Sequence, residues 1–209
     1  MDLFSGLEGW SKPFKDRGHE VITVDINPKF KPDIVKDIWD FTMFDLPSSW
    51  WHGTDVILAS PPCNCFSMLA VYRHWKKGIP NEETINAINL VKRTLKLISE
   101  LNPRYWVLEN PMGMLRTLSF MKHYHHRLIT QCQYGERKMK PTDLWGRFPL
   151  TFSARRCKNN SKCHDRTPRG SHETGTQSIK TAEDRALIPY GLALEFCVAC
   201  EKGFSITAK

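Results

Sequence analysis

Two residues carry the plainest chemistry in the chain. Cys63 follows Pro61 and Pro62 directly after the apolar run DVILAS (55–60), and Glu109 sits near the end of YWVLEN (105–110), just before Pro111. A thiol becomes a good nucleophile where a rigid loop beside a helix amino terminus fixes it and favours the thiolate, and the proline pair supplies the rigidity. A carboxyl beside such a thiol, when protonated, acts as an acid on the substrate. Most free cysteines are simply small buried hydrophobes. A second strand end stiffened by proline, at Glu109, tilts the reading toward a nucleophile and acid pair.

More candidates fall at the ends of other predicted strands. In DLFSGLEGW (2–10), Gly6 and Gly9 let the backbone bend tightly into a helix and approach a ligand, as nucleotide-type cofactor sites require. Asp25 ends VITVD (21–25), where a carboxylate accepts both hydroxyls of a ribose, and Asp37 ends DIVKD (33–37). An adenosine is then the expected group, with a plain helix cap as the other use of Asp25.

These residues need a frame that gathers strand ends. Short β-branched runs alternate with helical patterns, which predicts an α/β fold with a mostly parallel sheet and helices on both faces. Between DVILAS and YWVLEN, Ile85, Ile88, Val91, Leu95 and Ile98 recur at spacings of three and four, a helix face with Asn81 as its N-cap. The first strand is short, because DLF follows Met1 at once. From about Thr151 to Ala182 the periodicity fails, with seven Lys or Arg against two acids, a basic loop-like insert. After it, RALIPYGLALEFCVACEKG resumes a helical pattern with Leu192, Phe196 and Ala199 on one face. The expected organisation is a catalytic core over 1–150, an insert over 151–182 and a helix over 183–209 that completes the core.

At 209 residues the chain builds one full core and a small appendage. No apolar stretch approaches the roughly 20 residues of a membrane span, and the amino terminus lacks a signal-peptide pattern, so a soluble cytoplasmic protein is expected. The seven cysteines are too sparse for a disulfide scaffold and are expected to stay reduced. Cys157, Cys163 and His164, with Cys197 and Cys200, have zinc-ligand chemistry. Yet Cys197 and Cys200 fit one turn of a core-facing helix, so no metal is expected. His123, His125 and His126 read as a polar helix end. A formal net charge of +8 favours a polyanionic partner.

The order DLFSGLEGW, VDINP, PPC followed by FS, ENP, QCQYGERK and the closing IPYGLALEF resembles the motif series of DNA cytosine-5 methyltransferases, above all the compact phage and prophage members. The resemblance covers nearly the whole chain except the basic insert, and its specific part is PPC paired with ENP. It implies a Rossmann-like methyltransferase fold, S-adenosylmethionine as cofactor, and duplex DNA as substrate, in a bacterial host cell if the protein is phage-encoded; the sequence leaves the oligomeric state open, with a monomer as the default. Cys63 would add to C6 of a cytosine flipped out of the duplex while Glu109 holds N3 and the exocyclic amine, and C5 would take the methyl. Phe4, Ser5, Gly6 and Gly9 match the methionine-side turn. Asp25 and Ile26 match the ribose and adenine contacts, Asp37 and Ile38 the adenine edge. Pro62 matches a residue lying against cofactor and nucleophile, and Ser67 a phosphate-contacting serine.

The chain also departs from that series. Tyr134 and Gly135 run into Glu136, Arg137, Lys138, Met139 and Lys140 instead of a Pro-Gln followed by alternate arginines; Arg137 and Lys140 are the chosen cations near the base. An Arg-to-Lys exchange loses the planar fork that holds a carboxylate. Arg185, Ala186 and Leu187 replace the usual Gly-Asn approach to Pro189, and ENP stands for the commoner ENV. With only 151–182 available for target recognition, Arg155, Arg156, Lys158, Arg166 and Arg169 supply phosphate contacts and the expected sequence specificity is short or relaxed. The rival readings are an enzyme acting on RNA or single-stranded DNA, and a catalytically weak DNA-binding or partner-dependent subunit.

Overall fold

The computed structural model describes residues 1–51, 53–159, 161–165 and 181–207. A seven-stranded sheet runs through it in the order β3-β2-β1-β4-β7-β9-β8. These are β1 (Asp2–Leu3), β2 (Thr23–Asp25), β3 (Ile34–Val35), β4 (Val56–Ala59), β7 (Tyr105–Pro111), β8 (His126–Thr130) and β9 (Pro141–Arg147). A hairpin of β5 (Trp75–Lys76) and β6 (Ile79–Pro80) stands apart. The first five sheet strands pair in parallel, whereas β9 runs antiparallel between β7 and β8. Strand order reverses between β1 and β4, and in such sheets that crevice, beyond the carboxyl ends of the strands, is where ligands sit.

The central strands are buried on both faces, as parallel strands flanked by helices must be. Ile57, Ala59 and Leu108 point into one hydrophobic cluster, and Leu58 and Val107 point into the other. Helix α3 (Glu82–Leu101) covers the first face after the short helices α1 (Ser11–Asp16) and α2 (Val71–His74). Asn81 caps it, its side-chain oxygen accepting the Thr84 N–H at 2.9 Å, and Glu82 and Glu83 complement the helix dipole. Asn102, left-handed at φ 43°, ends it. Val91, Leu95 and Ile98 are buried as the spacing predicts, while Ile85 is exposed, so the apolar stripe starts later than the periodicity suggests.

On the second face, α5 (Tyr190–Thr207) follows the five-residue α4 (Ala182–Ala186). Leu192, Phe196 and Ala199 are buried, and the Phe196 ring meets Trp10 at 5.9 Å and Phe152 at 5.3 Å. Phe152 places the beginning of the basic insert in the core. The histidine reading is corrected: His123 ends a short 3-10 turn, but His126 opens β8, where Nε2 lies 2.8 Å from the buried Asp143 carboxylate. Neither β8 nor β9 is evident in the sequence, because PTDLWGR has no alternating apolar pattern. Among the described residues, no helix is long and apolar enough to cross a membrane.

Candidate active site

Two loops at the carboxyl end of the sheet are fastened to each other. β4 ends at Ala59 and the chain passes through Ser60, Pro61 and Pro62 to Cys63, while the adjacent parallel β7 carries Glu109 and Asn110. The Asn110 side-chain amide donates to the Pro61 carbonyl at 3.0 Å. Farther out, Ser67 bridges to Gly113, and the Met114 N–H donates to the Phe66 carbonyl at 2.8 Å. A β-carbon on Gly113 would sit 2.1 Å from the Phe66 oxygen, so only glycine lets the loops approach this closely. The Phe66 and Ser67 N–H groups both donate to the Cys63 carbonyl at 3.0 Å, closing a turn around the cysteine. That turn corrects the expected helix amino terminus at Cys63, since α2 begins only at Val71.

The electrostatics follow from burial. Burial pushes the Cys63 thiol above its ordinary value, and the Glu109 carboxyl pushes the same way, while Lys140 and then Arg185 pull it down. Burial likewise raises Glu109, opposed by Lys140 and a hydrogen bond from Ser60, and reinforced by Asp143. The expected preference for the thiolate is therefore corrected: burial favours the protonated form of both the Cys63 thiol and the Glu109 carboxyl. Glu109 is 4% exposed, and its Oε1 has no hydrogen-bond partner among the described residues. A buried polar atom in that state is costly and suits a site that completes itself on a ligand.

Of the two chosen cations, only Lys140 reaches the pair. Its ammonium donates to the Arg185 carbonyl at 2.8 Å and acts on both Cys63 and Glu109. The Arg137 side chain is 83% exposed and pairs with Asp165 at 3.2 Å. Arg185 is the cation that motif reasoning missed; it entered the sequence reading only as a departure from the closing motif. α4 brings it in, anchored by Lys140 on one side and by the Lys29–Glu183 ion pair at 2.6 Å on the other.

The glycine turn lies across the switch point. Gly6 has φ +47°, and its N–H donates to Asp25 Oδ2 at 2.9 Å, while Asp25 Oδ1 accepts the Asn27 N–H at 2.8 Å. Each Asp25 oxygen thus keeps a lone pair for a ligand hydroxyl. Phe4 is also left-handed, at φ 59°, a costly conformation for an aromatic residue that marks a constrained turn. Ser5 is buried with its hydroxyl unpartnered among the described residues, and Ile26 stands 62% exposed beside Asp25. Gly9 serves packing: a β-carbon there would meet the Ile188 backbone nitrogen at 2.8 Å. Asp37 is partly buried and accepts the Trp39 N–H at 3.0 Å, and the Ile38 side chain is closed into the core. Pro62 is exposed next to Cys63.

The candidate DNA contacts separate. Ser67 is partly buried, its hydroxyl accepting the Leu69 N–H at 3.4 Å. Arg155 pairs with Glu195 and stacks over the Tyr134 ring at 4.5 Å, which commits it to the fold, whereas Arg156 is exposed. Arg166 and Arg169 lie outside the described residues. Beside the cysteine loop, Met68, Leu69, Tyr72 and Ile79 are exposed apolar side chains interleaved with exposed Arg73, Lys76 and Lys77, a surface the sequence reading passed over. Cys197 and Cys200 are sealed in the core, as the helical spacing implies.

A mostly parallel α/β sheet, a constrained glycine turn with an acid on the next strand, and a thiol whose loop is bonded to the strand that carries a buried carboxyl are those of the Rossmann-like methyltransferase class. Residues 1–131 match the family described as C-5 cytosine-specific DNA methylase, and the chain belongs to that family of DNA (cytosine-5) methyltransferases. It is 27% identical over 190 residues to the "Probable DNA (cytosine-5)-methyltransferase" of Frog virus 3 (isolate Goorha), covering 85% of this chain and 86% of that one. It is 26% identical over 149 residues to type II methyltransferase M.XorII of Xanthomonas oryzae pv. oryzae, covering 65% of this chain and 32% of that protein. Among solved structures, a DNA modification methyltransferase encoded within an Escherichia coli prophage shares the fold, with a TM-score of 0.51 at 19% identity over 69% of this chain and 44% of the other. The chain thus spans nearly all of the viral relative but less than half of the bacterial and prophage proteins.

Proposed function

We propose that the chain methylates C5 of cytosine in duplex DNA through a covalent Cys63 adduct. The observation that carries this is the fastening of the Cys63 turn to the Glu109 strand, with Lys140 acting on both. Cys63 gives up its proton to solvent as its sulfur bonds to C6. The C5–C6 electron pair moves into the ring toward N3, which Glu109, its proton favoured by burial, holds by a hydrogen bond. C5 is then nucleophilic; once it carries the methyl, a water takes its remaining proton, the C5–H pair re-forms the C5–C6 double bond and the C6–S pair leaves on the Cys63 sulfur. Lys140 favours the thiolate at the moment of attack.

S-adenosylmethionine is the methyl donor in this reading, supplying an electrophilic methyl on sulfur. The residues of the turn suit it: the Ser5 hydroxyl, unpartnered among the described residues, and the backbone of Phe4 and Gly6 would hold the methionine side, Asp25 the ribose, exposed Ile26 the adenine ring and Asp37 its amine. Pro62, exposed next to Cys63, would lie against the cofactor. The burial of the Ile38 side chain argues that it supports this edge from behind.

A group as enclosed as Glu109 is out of reach of a stacked base, so the cytosine must leave the duplex. The apolar and basic surface of Met68, Leu69, Tyr72, Ile79, Arg73, Lys76 and Lys77 suits the strand it leaves. Residues 1–150 with 183–209 form the catalytic unit in this reading and 151–182 the DNA-facing insert. Phosphate contacts from Ser67, Arg156, Arg166 and Arg169 leave little base readout, hence short or relaxed specificity, by a monomer in the cytoplasm.

The test is trapping. The protein is incubated with S-adenosylmethionine and duplex DNA containing 5-fluorocytosine, beside Cys63→Ser. Fluorine blocks loss of the C5 substituent, so a denaturation-resistant complex that needs Cys63 is expected. An adduct formed only with RNA or single strands would replace the duplex substrate, and DNA binding without any adduct would overturn the catalytic reading.

A further inference from the structure

Away from the active site, four donor atoms converge that the methyl-transfer reading does not use. Cys132 comes from the helical turn Gln131–Tyr134 after β8, and Cys157, Cys163 and His164 come from the first part of the basic insert. All four atoms lie within 4.8 Å of one another. We propose that Cys132, Cys157, Cys163 and His164 form a structural zinc site that pins the insert to the core.

The distances favour a metal over a packed cluster of thiols. A tetrahedral zinc with Zn–S of about 2.3 Å and Zn–N of about 2.0 Å separates its sulfurs by about 3.8 Å and sulfur from nitrogen by about 3.5 Å. Cys132 Sγ lies 3.8 Å from Cys163 Sγ, and His164 Nδ1 lies 3.5 Å from Cys163 Sγ and 3.7 Å from Cys157 Sγ. Cys132 and Cys157 are closer, with sulfurs 3.2 Å apart, yet far beyond the roughly 2.05 Å of a disulfide. The donor set, three sulfurs and one nitrogen, is that of closed structural zinc sites with no open position for chemistry.

The surroundings are built for it. The Gln133 side-chain amide donates to Cys163 Sγ at 3.0 Å, the kind of bond that orients a thiolate ligand. The Cys157 N–H donates to Thr130 Oγ1 at 2.9 Å, and the Asp165 N–H donates to the Arg137 carbonyl at 2.9 Å. Residues 153–165 contain no helix or strand among those described; the Thr130 N–H donates to the Arg155 carbonyl at 3.1 Å, and past Cys157 a metal cross-link would add order to a stretch with little backbone pairing of its own. The anchor also stands at the root of the segment from Gly135 to Lys140. Metal at Cys132 and Cys163 would hold the surface beside the residue that acts on Cys63 and Glu109. The site replaces the Cys197 and Cys200 considered from sequence with Cys132, which stands 25 residues before its nearest partner.

The experiment measures metal directly. The full chain is purified under reducing conditions and its zinc quantified by mass spectrometry. Zinc-free chain is then titrated with Co2+, whose bound form reports thiolate ligation and tetrahedral geometry by absorption. About one zinc per chain and a thiolate-to-cobalt charge-transfer band are expected. Cys163→Ser and His164→Ala alter ligands outside the core, so they should fold and yet lower zinc affinity at least tenfold. Cys200→Ala, in the core, should keep the metal. The proposal is overturned by a chain that binds neither metal, by zinc retained at full affinity in both ligand variants, or by a Cys132–Cys157 disulfide found in the protein as purified. None of these outcomes depends on methyl transfer.

Discussion

The side-chain amide of Asn110 reaches across to the carbonyl of Pro61 at 3.0 Å, so the residue after the carboxyl holds the loop that carries the thiol. The bond is fully buried and joins two adjacent parallel strands at their carboxyl ends. Cys63 and Glu109 are positioned by one another's loops and not by their own strands alone.

Asn110→Ala should therefore cost rate as well as stability. Losing a buried hydrogen bond and stranding the Pro61 carbonyl destabilises by about 1–3 kcal/mol. A thiol displaced by even a fraction of an ångström should lower kcat at least tenfold with KM for DNA little changed. Gly113→Ala, which drives a β-carbon into the Phe66 carbonyl, should do the same by pushing the Cys63 turn outward. Denaturant unfolding beside single-turnover methylation separates the two effects; a loss of stability with the rate of the folded protein unchanged would contradict the positioning role.

Lys140 and Arg137 should behave differently. Lys140→Met removes the cation that lowers the Cys63 thiol, so the pH profile of Cys63 alkylation by iodoacetamide should move to higher pH, and Lys140→Arg should restore part of it. Arg137→Ala, on an exposed side chain paired with Asp165, should leave that profile unchanged. A shift of the same size in both variants would show that the two cations are equivalent.

The raised carboxyls set a pH dependence of stability. Glu109 keeps its proton to higher pH when folded than in the unfolded chain, where it titrates near 4.5. Its contribution is complete below that value and is lost as pH rises through the raised folded value. Glu109→Gln should therefore gain stability relative to the parent as pH rises above the unfolded value, while losing methylation. Asp2 is the quantitative case: burial pushes its carboxyl from 3.8 up to about 7. Asp2→Asn should gain over the parent across that window, by up to about 4 kcal/mol at its alkaline end. Chemical denaturation at a series of pH values reads both, and flat differences would exclude the burial effect.

Arginines of the insert divide by what they already touch. Arg156→Ala should reduce the salt dependence of DNA binding by about one counterion, weakening affinity evenly across sequences. Arg155→Ala should instead lower thermal stability, because Arg155 is spent on Glu195 and Tyr134. Binding titrations at several salt concentrations together with a melting curve distinguish the two roles.

Sequence alone determined what local chemistry writes into a chain. The alternation of short β-branched runs with helical periods gave the parallel half of the sheet. Asn81 was legible as a cap because capping depends on neighbours three residues away, and Leu192, Phe196 and Ala199 were legible as a face because helical spacing is local. Pro61-Pro62-Cys63 and Glu109-Asn110-Pro111 stood out because stiffened strand ends are rare and chemically pointed.

Tertiary structure decided whatever depends on residues far apart in the chain. β8 and β9 escaped the pattern because their burial comes from pairing, β9 with β7 and β8 with β9, and not from alternation. Lys140 and Arg137 are three residues apart and looked interchangeable; only the return of α4 to the sheet turned one toward the thiol and left the other with Asp165. Gly9 read as a ligand-facing glycine until Ile188 was found against it, and Arg185 carried no motif until α4 brought it beside Cys63. The same holds for Cys132, whose partners lie 25 and more residues onward, since convergence of ligands through a fold leaves no fixed spacing to read.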